Sequence, residues 1–146
     1  MNPIPALIQD FLHKHHVVSL ATYANHQVWA ASCFYVFDEA NQRLLIMTAK
    51  KTLHAQNMLA NPEIAGTIAG QPKKFGEIAG LQFSALAECL EEPTARQAAL
   101  DLYSAKHPIA KLAKFASTEI WALHLTKLKH TENKTVFSQK TVWERS

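Results

Sequence analysis

Apolar residues recur at helical spacing over the first dozen positions, at Ile4, Leu7, Ile8, Phe11 and Leu12, behind two prolines, Pro3 and Pro5, that suit a helix start. This predicts a short amphipathic helix ending near His16. From Val17 the pattern changes. The stretch VVSLATYA (17–24) is β-branched and apolar, Asn25-His26 favours a turn, and residues 27–37 read as a second strand. Asp38 to Gln42 is polar and turn-like, and Arg43 to Thr48 is apolar again, so the first three strands form an antiparallel meander. A helix follows the corner after Thr48 and stops at Asn61-Pro62. Glu63 to Ala69 resumes strand, Gly70-Gln71-Pro72 turns it, and Phe75 to Leu90 reads as extended, with Gly76 and Gly80 as candidate bulges or bends. Pro93 to Lys106 is a second helix of good propensity, and 109–115 a further turn. Ile120 to Leu128 alternates, with Ile120, Ala122 and His124 on one face and Trp121, Leu123 and Leu125 on the other; Val136 to Trp143 reads as the last strand.

The fold class implied is mainly β with flanking helices, an antiparallel barrel of six to seven strands whose closure removes exposed edges. A chain of 146 residues is the usual length of one domain, here 1–146, and no repeat or linker interrupts it.

The net charge of +3, from 15 Lys+Arg against 12 Asp+Glu, is small and scattered, which argues against nucleic acid as a partner. Cys33 and Cys89 stand in apolar strand contexts, and the N-terminus lacks the sections of a signal peptide, so both read as free thiols of a cytoplasmic protein. No apolar run approaches the roughly 18 residues a membrane span needs. Ser–His–Asp spacing, a P-loop and a dinucleotide glycine fingerprint are all missing from the sequence, so covalent hydrolysis is a poor reading.

The most informative segment is LLIMTAKKTLHAQNMLANP (44–62), in which a strand ends at Thr48 and turns through a basic, hydroxyl-bearing corner into a helix. The first N–H groups of a helix lack internal partners and carry the positive end of its dipole, so the corner is a ready anion site. Lys50, Lys51, Thr52 and His54 add charge and donors. A plain helix cap made by Thr52, with the lysines in solvent, is the competing reading.

The unit TAKKTLHAQNMLANP, the strand region IAGLQFSALAECL and the helix closing with YSAKHP resemble the flavin-mononucleotide-binding split barrels typified by pyridoxamine 5'-phosphate oxidase. The terminal stretch EIWALHLTKLKHTENKTVFSQKTVWER, with KKTLHAQ and GQPK, resembles more narrowly the bacterial YhbP-like group of that superfamily. The resemblance implies a homodimer with FMN in grooves at the interface, the ring along Ser32, Cys33, Phe34 and Tyr35 and the phosphate at Thr48, Thr52 and His54, with Lys50 and Lys51 beside it. It implies an FMN-dependent oxidoreductase acting on a small-molecule substrate. A flavin- or haem-type ligand binder or sensor without turnover is the alternative. The chain departs from the oxidase in having Leu53-His54 where an Arg-Lys pair stands, and Ser32 in place of a phosphate-binding arginine. An imidazole is a weaker phosphate partner than a guanidinium. The oxidase's basic substrate-binding residues have no convincing match, which argues against pyridoxal phosphate synthesis itself.

Three further groups have simpler readings. Cys33 is a small apolar core residue rather than a redox thiol. The cluster His13, His15, His16 has no further ligands spaced with it, so no metal is expected. Trp29, Trp121 and Trp143 are core or interface anchors, with Trp143 the one placed to reach a partner subunit.

Overall fold

The structure is a computed structural model that describes residues 1–112, 117–133 and 139–146. Helix α1 (Ala6–Lys14) precedes the meander β1 (Val17–Ala24), β2 (Gln27–Asp38) and β3 (Arg43–Thr48). Then come α2 (Leu53–Ala60), β4 (Glu63–Ala69), β5 (Ala79–Cys89), α3 (Pro93–Lys106), β6 (Glu119–Glu132) and β7 (Gln139–Glu144). The sheet order is β3-β2-β1-β4-β5-β6-β7, and β3 also pairs with β6, so six strands close into a barrel and β7 extends it. Every pairing is antiparallel.

The turn between β1 and β2 places Asn25 (φ 51°) and His26 (φ 61°) both in the left-handed region, the two-residue hairpin form whose twist matches its strands. On β6 the alternation runs as the sequence implies only as far as Leu125; the extra residue Thr126 inverts it, so Leu128, expected on the face of Ile120, packs in the barrel core and Lys127 is exposed. Trp121, Leu123 and Leu125 point into the barrel, while Ile120 and Ala122 face outward under α3. The barrel interior also receives Ile8 and Leu12 from α1 and Ala55 and Met58 from α2. A second, outer core joins Ala99 and Tyr103 of α3 to Val36, Leu45 and Ile120.

Three readings change. Residues Phe75–Glu77 form a 3-10 turn, so β5 starts only at Ala79. Gly76 lies in that turn and Gly80 is regularly paired with Ala69 and Thr131. The irregularity falls instead between Ser84 and Ala85, opposite Lys127 and Leu125, where Thr126 is the extra residue and its hydroxyl bonds the Ser84 hydroxyl at 2.8 Å. The Ser–Thr pair supplies the local bond that the ladder loses there, a signal less visible than a glycine. Trp143 is buried within its own chain, its indole N–H donating to the Asn2 carbonyl at 3.3 Å, and so does not reach outward. Parts of the turn expected over 109–115 and of the strand expected from Val136 lie outside the described residues.

Candidate functional site

At the end of β3 the backbone turns sharply and α2 begins with Thr52 as its cap. The Thr52 hydroxyl accepts from Ala55 N (3.2 Å) and donates to the Ala49 carbonyl (2.9 Å), which ties the corner to the first turn of the helix. Removing this cap in Thr52→Ala is expected to cost about 1 kcal/mol of stability, read as a lower urea midpoint with an unchanged slope.

His54 points back into the corner. Its Nε2 lies 2.7 Å from the Thr48 hydroxyl and 3.3 Å from that of Thr52. Thr52 has already given its proton to Ala49, so toward the imidazole it can only accept. Burial pushes the His54 pKa below that of a free histidine, which leaves the ring neutral at pH 7. Its Nδ1 takes no hydrogen bond among the described residues. The Thr48 carbonyl is held by the indole N–H of Trp121 at 3.3 Å, and Trp121 is itself fixed in the core.

Cations are arranged unevenly here. Lys50 is drawn to Glu91, which keeps the lysine pKa raised and the carboxylate's lowered. Lys51 is exposed and has no ion-pair partner among the described residues. Leu53 and His54 are the first two residues of the helix, so their N–H groups have no carbonyl one turn behind them. These two N–H groups, Lys51 and the Thr48 hydroxyl form a donor set that fits a phosphate monoester, joined by Nδ1 of His54 when the ring is protonated, with one free cation among the described residues where a stronger site would have two or three.

The strand residues of the expected site divide. Ser32 and Phe34 lie on the outer face of β2, with Phe34 59% exposed. Cys33 turns inward against the barrel core, and burial raises its thiol to about 11, so it is not a thiolate nucleophile. Tyr35 is wholly buried, its hydroxyl donating to the Leu12 carbonyl at 2.7 Å, and burial pushes its pKa up. The Tyr35 side chain is thus a core element and reaches no groove.

The outer face around Ser32 has a regular construction. Ser32, Ser19, Thr67 and Gln82 stand in one row across β2, β1, β4 and β5, and Ala30, Ala21, Ala65 and Ser84 in the next. The outward positions of β2, β1 and β4 in this region carry one charge, Glu63, and large apolar groups flank the rows: Val17 and Phe34 on one side, Tyr23 and Val28 on the other. A shallow groove of about 370 Å³ runs over the small residues.

Sequence reading alone missed the partners that set this geometry. Glu91 diverts Lys50, Trp121 fixes Thr48, and buried Asn57 of α2 donates to the Thr22 hydroxyl (3.1 Å), which in turn donates to the Trp29 carbonyl (2.9 Å). Asn57 between the apolar Ala55 and Met58 on the inward face of α2 was the one available signal.

The sequence pattern of the pyridoxamine 5'-phosphate oxidase family matches residues 4–132. The chain belongs to that family. A UPF0306 protein of Haemophilus ducreyi is 42% identical over 146 residues, covering 99% of this chain and 98% of its own, which places the chain in the UPF0306 branch, the YhbP-like group. Solved structures share the fold at low identity. The haem storage protein HutZ of Vibrio cholerae superposes with a TM-score of 0.69 at 13% identity, over 97% of this chain and 94% of that one. A FAD-binding protein of Mesorhizobium loti gives 0.70 at 15%, over 87% and 94%. Barrels of this kind thus include both haem- and flavin-binding proteins. Among the described residues of this UPF0306 member, no helix is long and apolar enough to cross a membrane, and no group of three or more His, Cys, Asp and Glu is placed to hold a metal ion.

Proposed function

We propose that this UPF0306 protein is a homodimeric FMN-dependent oxidoreductase. The observation that carries the reading is the convergence of Thr48, Thr52 and His54 at the start of α2, with Lys51 beside them, in a chain of the pyridoxamine 5'-phosphate oxidase family. Lys51, the N–H groups of Leu53 and His54 and the Thr48 hydroxyl hold the phosphate at the corner that Thr52 caps, and Ser32 and Phe34 on the outer face of β2 lie along the ring. Bound flavin supplies hydride or electron transfer to a small reducible substrate. The protein's own residues anchor, orient and shield; Cys33, whose thiol stays protonated, takes no part in the redox step.

The outer face of β2, β1 and β4 supports dimerisation, because a sheet face with large apolar flanks, small residues between and a single charge is better covered by protein than by water. Gel filtration is expected to give twice the 16.3 kDa chain mass. A haem-binding reading is favoured by two observations: the likeness to HutZ, and the engagement of Lys50 by Glu91, which leaves the phosphate corner with a single free lysine.

Absorbance from about 300 to 550 nm after titration with FMN or with haemin separates the two. Flavin bands that stay with the protein through gel filtration and are reduced by a nicotinamide, then reoxidised with turnover, support the oxidoreductase. A Soret band with no retained flavin supports the haem binder.

A further inference from the structure

Lys50 and Lys51 are the two central residues of the turn that joins β3 to α2, closed by the Thr52 amide on the Ala49 carbonyl at 3.2 Å. One of the two is already engaged. The Lys50 carbonyl is held by the Gln56 side-chain amide of α2, and its Nζ donates to Glu91 Oε1 on the β5–α3 connection. Glu91 stands between two anchored neighbours. Leu90 is buried and its amide donates to the Ile120 carbonyl at 3.0 Å, while Glu92 caps α3 by accepting from the amides of Thr94 at 3.0 Å and Ala95 at 2.8 Å. Both backbones are therefore set before the ion pair forms, which lowers the ordering cost of the contact.

The charges that face Lys50 are carboxylates. Glu91 raises the Lys50 pKa most, and Glu119, opposite Thr48 in the β3–β6 ladder, adds to it; Arg96 of α3 answers Glu119 at 3.9 Å. As a brace for the fold the Lys50–Glu91 pair contributes little, because both side chains are exposed. Its effect falls on the corner, where it cancels one of the turn's two lysines and leaves Lys51.

We propose that Glu91 sets the corner's preference for phosphate by holding Lys50 away from it, so that a ligand's phosphate meets Lys51 and the helix N–H groups without a second lysine. This control rests on the cofactor reading above and adds to it the residue that limits how tightly the phosphate is kept. An exposed pair of this kind withholds a contact worth up to about fivefold in affinity.

Calorimetric titration of FMN and of riboflavin into the wild type, Glu91→Gln, Lys50→Met and the double variant tests it. Glu91→Gln removes the charge and keeps the shape; it is expected to tighten FMN by about three- to fivefold and to leave riboflavin unchanged, a split that a merely structural change would not give. Lys50→Met stays within about twofold of the wild type for FMN and abolishes the gain of Glu91→Gln when the two are combined. No gain in Glu91→Gln, the same gain in the absence of Lys50, or a larger fall in Lys50→Met alone overturns the role of Glu91 while the cofactor reading stands. A wild type that binds FMN no tighter than riboflavin overturns the cofactor reading, and the role of Glu91 with it.

Discussion

Gly66→Ala is expected to destabilise the protein by about 3 kcal/mol or more, a larger effect than any surface substitution would give. Gly66 lies in the middle of β4, paired with Leu20 of β1 and Phe83 of β5, and its missing side chain points into the barrel. A Cβ there would sit 2.4 Å from Phe83 Cζ and 2.7 Å from the Ser19 carbonyl oxygen. The Phe83 ring can turn away, but the Ser19 carbonyl is backbone, held between two ladders, and cannot move without breaking the pairing of β1 with β4. The backbone contact decides the outcome. Urea unfolding of Gly66→Ala, and of Gly66→Ala combined with Phe83→Leu, separates the contributions: the double variant recovers part of the stability if the ring carries the strain, and none if the Ser19 carbonyl carries it alone.

Lys51→Ala/His54→Ala is expected to weaken FMN binding roughly a hundredfold, the loss of two charge-assisted or polar contacts to a phosphate. The two residues act differently. Lys51 acts from an exposed position, whereas burial lowers the His54 pKa and leaves its ring neutral at pH 7. A phosphate dianion placed against Nδ1 favours the imidazolium, so binding takes up a proton, and affinity rises as the pH falls toward the His54 pKa. Between pH 8 and about pH 6.5 the wild type should gain affinity several-fold while His54→Gln stays flat. Below about pH 6 the phosphate itself takes a proton and the gain stops. A fluorescence titration of FMN at four pH values reads the slope directly.

Much of the fold is legible in the residues. The period-2 stretches of β1 and β6, the Asn25-His26 turn and the stop at Asn61-Pro62 each carry their own local chemistry, and the structure has them within a few residues of where the pattern puts them. The exceptions share one cause, which is long-range partners. Gly76 and Gly80 look like bulges in isolation, yet the bulge needs an extra residue across the ladder and falls at Thr126. Trp143 looks like an interface anchor until Asn2 arrives from the other end of the chain. The site follows the same rule. Thr52 and His54 are close in sequence and their geometry follows from the helix start, but the ion pair between Lys50 and Glu91 spans 41 positions and changes the corner's charge. Tyr35 falls two residues after Cys33, so strand alternation already sets it opposite Ser32 and Phe34, and its bond to the Leu12 carbonyl fixes it in the core.

The account turns on a phosphate held at the start of α2, and the comparison of FMN with riboflavin tests that most directly, because the two ligands differ only in that group. Calorimetric titration of both into the wild type and into Lys51→Ala/His54→Ala is expected to show FMN at least tenfold tighter than riboflavin in the wild type, with the difference gone in the variant and riboflavin affinity unchanged. Equal affinity for the two ligands in the wild type, or a preference for FMN that survives the double substitution, would contradict it.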